Sequence, residues 1–250
     1  MRSTDASAGT AARVVRPEHL DSLPPEDPRA RRARGDLRRV HRAMRSLSIL
    51  THAIAGSDLR VPPRRILELG AGDGTLMLRL LRTLRTRWRG GDVIFLDRQA
   101  LLSEATRAHL AALGWNARVL CADAIEWARS APREHYDLCL TSLFLHHFEQ
   151  PALTQLLEGV AVCTDAFVAC EPRRNAFGRL GSHLLVLLGA NEVTRHDALT
   201  SVEAGFAARE LSALWPAKSG WRLEERFAPP FTHCFIARRL NVEPPTTVGP

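Results

Sequence analysis

Arg65-Ile66-Leu67-Glu68-Leu69-Gly70-Ala71-Gly72-Asp73-Gly74-Thr75 is the stretch whose reading decides the fold. Its first five residues predict a short buried strand, and the Leu- and Arg-rich run that follows predicts a helix over 75–88. Between them, Gly70, Gly72 and Gly74 let the backbone turn tightly and approach a ligand closely. The spacing is not the G-x-G-x-x-G of dinucleotide sites, because Thr75 stands three residues after Gly72. Glu68, two residues before Gly70, would repel a pyrophosphate and suits a cationic or amino-acid-like ligand instead.

From this turn outward, strand and helix alternate. Apolar runs at 65–69, 92–96, 117–121, 136–141 and 166–170 predict strands. Amphipathic segments at 75–88, 101–113, 124–129 and 150–160 predict the helices between them. Short apolar strands separated by helices imply a parallel, doubly wound α/β sheet. The last two strands, 222–227 and 232–237, are joined through Pro229-Pro230 without a helix and predict an antiparallel hairpin. An insertion at 173–203, with an apolar helix over 177–188, precedes a helix expected around 204–214. Because ligands gather at the carboxyl ends of parallel strands, this insertion is expected to act as a lid.

At the N-terminus, residues 1–35 are rich in Pro, Ala and Arg and are expected to form a loosely ordered basic arm. A helical cover is expected over 36–60, with Asp36 as N-cap and Leu37, Val40, Met44, Leu47, Leu50 and Ile54 on one stripe. The main domain spans 61–240, followed by a tail at 241–250. Most of the formal charge of +7 lies in the stretch through Arg45, where eleven arginines face six acidic residues. The body is nearly balanced, so a nucleic-acid surface is not expected. Cys121, Cys139, Cys163, Cys170 and Cys234 lie in or beside predicted core strands with no C-x-x-C pair. They are expected to be free thiols in a reducing compartment, neither disulfides nor a zinc site. No apolar run reaches spanning length and the start lacks a signal-peptide core, so a cytoplasmic protein is expected.

Glu68-x-Gly70-x-Gly72-x-Gly74 after a strand resembles motif I of the class I S-adenosylmethionine (SAM)-dependent methyltransferases. The resemblance covers residues 61–240 and implies a Rossmann-like, seven-stranded, mostly parallel sheet whose last strand runs antiparallel. It implies SAM as cofactor, held by Glu68 and the three glycines together with groups at the ends of the next strands. Asp97 ends the second strand, 23 residues beyond Gly74, where an acidic residue accepts hydrogen bonds from the ribose; it would also make a good helix N-cap. Asp123 ends the third strand, where the family contacts the adenine amine while the backbone of Ala124 meets a ring nitrogen; Asp123 would equally cap the helix that follows. Arg98 and Ser142 complete the expected cofactor contacts.

The fourth strand and its turn, Tyr136 to Phe148, resemble the "D-x-V-x-x-x-x-x-L-H-H" segment of small-molecule methyltransferases related to ubiquinone and menaquinone enzymes, with Cys139 in place of Val. That resemblance places His146 and His147 beside the transferable methyl, where an imidazole is suited to take a proton from a phenol or hydroxyl. A structural role, capping a helix or packing under the cofactor, is the alternative. Arg195-His196-Asp197 and the Ser-Val segment after it are similar to a segment of bacterial methyltransferases near polyketide and quinone pathways. His196 is a second base candidate, while Glu171, Arg173 and Asp197 are candidate acceptor contacts. Thr141 and Ser142 stand where catechol-type enzymes place a magnesium-binding Asp, so no metal is expected. DNA-base methylation is disfavoured because no D/N-P-P-Y/F/W follows the fourth strand. The leading expectation is O-methylation of a hydrophobic or aromatic small molecule, phenolic, quinol or polyketide-like. C-methylation of a quinone precursor and a non-catalytic SAM-binding protein are the alternatives. The acceptor and the oligomeric state are left open.

Overall fold

The computed structural model describes residues 12–24, 26–55, 62–130, 134–175, 192–216 and 219–240. The described residues form a seven-stranded sheet in the order β3-β2-β1-β4-β5-β7-β6. Its strands are β1 (Arg65–Leu69), β2 (Gly91–Asp97), β3 (Trp115–Cys121), β4 (Leu138–Ser142), β5 (Ala166–Pro172), β6 (Trp221–Ala228) and β7 (Thr232–Arg239). The first five are parallel, and β7 inserts antiparallel between β5 and β6, as the sequence predicts. Chain order reverses at β1, which pairs with β2 on one side and β4 on the other. That reversal opens a crevice at the strand carboxyl ends, where ligands bind in such sheets.

Both faces of the sheet are covered, so the central strands read as continuous apolar runs. Ile66, Val93, Leu138 and Val168 pack on one face with Leu50 of α3 (Ser46–Ala55) and Leu80 of α4 (Thr75–Leu84). Leu67, Ile94, Cys139 and Phe167 face the other way, against α6 (Ala124–Arg129) and α7 (Gln150–Cys163). Also on that face, Trp215 stacks on Phe167 with ring centroids 5.6 Å apart, just after α9 (Glu210–Leu214). Four of the five cysteines are buried, whereas Cys121 at the end of the outer strand β3 is exposed.

The N-terminal region departs from expectation. Helix α1 spans His19–Ser22, and α2 runs Pro28–Ala43, so the helical cover begins within the stretch read as an arm. Asp27 is its N-cap, accepting from the Arg29 amide, with Pro28 at the first helical position. Asp36 is therefore not a cap. It lies mid-helix, 3 % exposed, accepting from Arg39 at 2.7 Å and from Thr194 at 3.3 Å. The single stripe expected over 36–54 breaks at Arg45, whose φ of 57° separates α2 from α3.

Beyond β5, the helix expected around 204–214 is only the short α9, and the last part of the expected insertion forms a helix of its own, α8 (Glu192–Glu203). Helix α5 spans Glu104–Ala112, with Ser103 as N-cap. The apolar helix expected over 177–188, the outer part of the arm and the tail at 241–250 lie outside the described residues.

Helices α6 and α7 meet at Gly159, where an added Cβ would lie 2.7 Å from the Cβ of Ala128. Neither backbone can yield cheaply, so Gly159→Ala is expected to lower stability by about 1–3 kcal/mol in urea denaturation.

Candidate functional site

The crevice at the β1–β4 reversal is a cavity of about 440 Å³. Its floor is the glycine turn. Gly70 has φ +64°, and a Cβ there would fall 2.3 Å from the Phe144 ring, so only glycine lets the two turns meet. Gly72 has φ +54° and nothing within 4 Å of the same position, leaving backbone open toward the cavity. Gly74 forms the N-cap of α4.

Glu68 ends up beneath this turn, 3 % exposed and lining the cavity. Its Oε2 is buried with no hydrogen-bond partner among the described residues. Burial first, and then the charges of Asp73 and Asp97, push its pKa well above the ordinary carboxylate value. A buried, unpartnered carboxyl facing a cavity fits a ligand that brings a donor or a positive charge, as the amino end of SAM does.

The strand ends supply the rest of this half. Asp97 lines the cavity and accepts from the amides of Gly72 and Gln99, both at 2.9 Å. It thereby ties the glycine turn to the end of β2. Asp123 caps α6 through the amides of Ile125 and Glu126, while Arg98 pairs with its other oxygen at 2.7 Å. Asp123 combines the capping and cavity-lining positions, whereas Asp97 lines the cavity and caps no helix, because the helix after β2 starts at Glu104 behind Ser103. Ala124 and Ser142 line the same wall, the latter 3.5 Å from Nδ1 of His41 on α2. Burial lowers the pKa of His41 to about 4, keeping its ring neutral at physiological pH.

The opposite wall is apolar, with Leu37 of α2 and Met44 just after it alongside Phe144, Phe148 and Phe231. Here the turn after β4 forms a 3₁₀ turn over Leu145–His147. The turn hangs on Glu171, which is fully buried. One Glu171 oxygen accepts from the amides of Phe144 and Leu145 at 3.1 and 3.0 Å, and the other meets His146 Nδ1 at 2.7 Å. Nε2 of His146 and Nε2 of His147 each lie 3.2 Å from an oxygen of Glu18, whose side chain is 11 % exposed. Nδ1 of His147 donates to the Phe144 carbonyl at 2.9 Å. Arg13 completes the assembly, its guanidinium donating to the carbonyls of His146 and Phe148 at 3.1 and 2.8 Å.

Several expected roles are corrected by this geometry. Burial acts to lower the pKa of His146, but hydrogen bonds to Glu171 and Glu18 outweigh it and raise the value to about 9. In the metal-free protein His146 is thus a cation near pH 7 and not a neutral base. Glu171 holds the turn and does not line the cavity. Arg173 stacks over the Phe227 ring at 3.8 Å, also away from the cavity. His196 is half exposed and stacks on His19 at 4.0 Å, outside the cavity wall. Asp197 does line the cavity, but its oxygens accept the amides of His19 and Leu20. Sequence reading missed Arg13, Glu18 and His41, whose partners lie more than a hundred positions away.

Comparison with known proteins places this architecture. Residues 66–165 match the family model described as a methyltransferase domain. The seven-stranded sheet with β7 antiparallel is the Rossmann-like methyltransferase fold. It is similar in fold to the plantazolicin methyltransferase BpumL in complex with SAH, at 17 % identity and TM-score 0.61 over 86 % of this chain and 91 % of that one. It is likewise similar to an O-methyltransferase family protein from Burkholderia thailandensis, at 16 % identity and TM-score 0.57, over 87 % of this chain and 62 % of that one. The pyocyanin biosynthetic protein PhzM gives 20 % identity and TM-score 0.54, over 86 % of this chain and 59 % of that one. Comparison with curated proteins yields no match. Among the described residues no helix is long and apolar enough to cross a membrane.

The raised pKa of His146 has a consequence for stability. A histidine whose folded pKa is about 9, above an unfolded value near 6.5, stabilises fully below pH 6.5 and loses that contribution as pH rises through 9. Chelator-treated protein is expected to lose stability across that window, and His146→Gln to flatten the loss. Denaturant midpoints measured from pH 6 to 10 check it.

Proposed function

We propose that this protein transfers the methyl group of SAM to a hydrophobic small-molecule acceptor, at an oxygen of a phenolic, quinol or polyketide-like compound. The observation that carries this reading is a single cavity. It joins the glycine turn, Glu68, Asp97 and Asp123 at one end to the aromatic wall and the Glu18–His146–His147 cluster at the other. When bound, SAM supplies an electrophilic methyl for in-line displacement, and the protein's share of such a reaction is largely proximity and alignment. Asp97 and Asp123 are positioned for the ribose and adenine, and Glu68 for the amino group. Phe144, Phe148 and Phe231 exclude water and pack an apolar acceptor against Leu37 and Met44.

An acceptor hydroxyl must lose its proton near transfer. Glu18 and the histidine turn lie on the wall where that hydroxyl would sit, so ionisation of the acceptor is assigned to this cluster. Among the fold neighbours, BpumL is a plantazolicin methyltransferase solved in complex with SAH and a monoazolic desmethylPZN analog, and PhzM is named as a pyocyanin biosynthetic protein. They support the acceptor class without defining it.

Mass spectrometry with methyl-labelled SAM over a panel of phenolic, quinol and polyketide metabolites tests the reading, with the methylated atom assigned by NMR. Labelled O-methyl product is expected. Methylation confined to carbon, or none together with absent SAH binding, would overturn it. Calorimetry is expected to show SAH binding and no NAD binding. Glu68→Gln is expected to weaken SAM by roughly tenfold while leaving apo thermal stability equal or higher, because it replaces a buried carboxyl that no neighbouring group holds. A fall in stability with unchanged SAM affinity would make Glu68 structural. His147→Ala is expected to lower turnover about a hundredfold with SAM affinity near wild type.

A further inference from the structure

Two imidazoles and a carboxylate converge at the acceptor end of the cavity in a way that alignment of a methyl group does not require. His146 and His147 are consecutive, with ring centroids 4.3 Å apart and planes within 30°. Each Nδ1 points outward to an oxygen that accepts: the Phe144 carbonyl for His147, the Glu171 carboxylate for His146. Both Nε2 atoms are directed the other way, each 3.2 Å from an oxygen of Glu18. Two imidazole nitrogens and a carboxylate thus meet at one point on the cavity wall.

We infer that Glu18, His146 and His147 bind a divalent transition-metal ion of the zinc class at the acceptor end of the cavity. The ligand atoms lie within 4.8 Å of one another. A cation about 2.0–2.2 Å from two imidazole nitrogens and a carboxylate oxygen needs a spacing of that size. Imidazole with carboxylate is a donor set that suits such ions, whereas magnesium and calcium favour oxygen alone. Every ligand is held from behind, as metal ligands are: His146 by Glu171, His147 by the Phe144 carbonyl, and Glu18 by the Ser201 hydroxyl. Three protein ligands leave a coordination position open, and all three residues line the cavity, so that position is available to water or an acceptor oxygen.

Leu143 and its neighbours still offer no carboxylate at the catechol-type position. The third ligand comes instead from residue 18, on the far side of the cavity, where the turn alone could not reveal it. A second group, His19, His196 and Asp197, also brings three donors within 4.8 Å. There the Asp197 oxygens are committed to backbone amides and the two rings stack face to face, so it serves as a control.

The proposal deepens the acceptor-ionisation reading and rests on it for its purpose, not for its test. Tag-free protein is dialysed against Zn²⁺, desalted, and its metal content measured by plasma mass spectrometry, alongside Glu18→Gln, His147→Ala and His196→Ala. Wild type and His196→Ala are expected to retain about one equivalent, and the other two less than about a tenth. SAH calorimetry on each variant reports whether the fold and the cofactor half are intact. Wild type retaining less than a tenth of an equivalent, or His147→Ala retaining as much as wild type, would overturn the site. If SAH still binds in that case, the methyltransferase reading stands. Stoichiometric zinc with no SAH binding would instead sink that reading and leave the cation site.

Discussion

A carboxylate with no access to solvent must have its charge met by the protein, and Glu171 at the end of β5 meets this requirement with three donors from one turn. Burial works to raise its pKa, yet the His146 bond and the Leu145 and Phe144 amides hold it below the ordinary value. Removing it would strand two backbone amides and an imidazole, at a cost of about 1–3 kcal/mol for each orphaned group. The turn it holds is not one the chain would adopt freely: Leu143 has φ +58°, a region that branched side chains avoid. Glu171 therefore determines where Phe144, His146 and His147 point. Each of these residues faces the cavity.

Phe144 links this half of the site to the other. Its ring occupies the space that a side chain at Gly70 would need, so the glycine turn and the histidine turn are shaped against each other. Asp97 ties the same glycine turn to β2 through the Gly72 amide. Three strand ends thus share one rigid seam, and cofactor and acceptor are held at a separation set by packed backbone. Such preorganisation is what a reaction governed by alignment requires. The unpaired Glu68 beneath the seam sacrifices some stability, as buried groups reserved for a ligand generally do.

The sheet was legible because its signals are local. Apolar runs, the strand–glycine–helix junction and the terminal hairpin each declare themselves within a dozen residues, and the observed strand bounds shift by only a few positions. The glycine-turn end of the cavity was legible for the same reason: Glu68, Asp97 and Asp123 lie at or beside the ends of three neighbouring strands and line it. The acceptor half was not. Glu171 also ends a strand, and nothing in its neighbours tells an acidic residue that faces a cavity from one that anchors the next turn. Asp36 precedes an apolar stripe as a cap would, and the true cap, Asp27 before Pro28, was obscured by the Arg- and Ala-rich run after it. Glu18 and Arg13 find their partners at separations of 128 and 133 residues, where no periodicity reaches.

The N-terminal arginines change meaning once these distant contacts are known. As composition, they suggest a basic arm seeking an acidic partner. In the fold, Arg16 meets Glu203, Arg38 meets Asp73 and Arg39 meets Asp36, so much of that charge is neutralised within the chain. Exposed pairs of this kind each contribute little. Arg13 differs, because it is partly buried, lies over the Phe206 ring at 4.7 Å, and donates to carbonyls that the histidine turn would otherwise leave unsatisfied. Arg13 thus grips the histidine turn while Glu18 meets both imidazoles, so the segment up to α1 is tied to one wall of the cavity. The N-terminal segment, α2 and α8 therefore converge on the histidine turn, across the cavity from the glycine turn and the neighbouring strand ends.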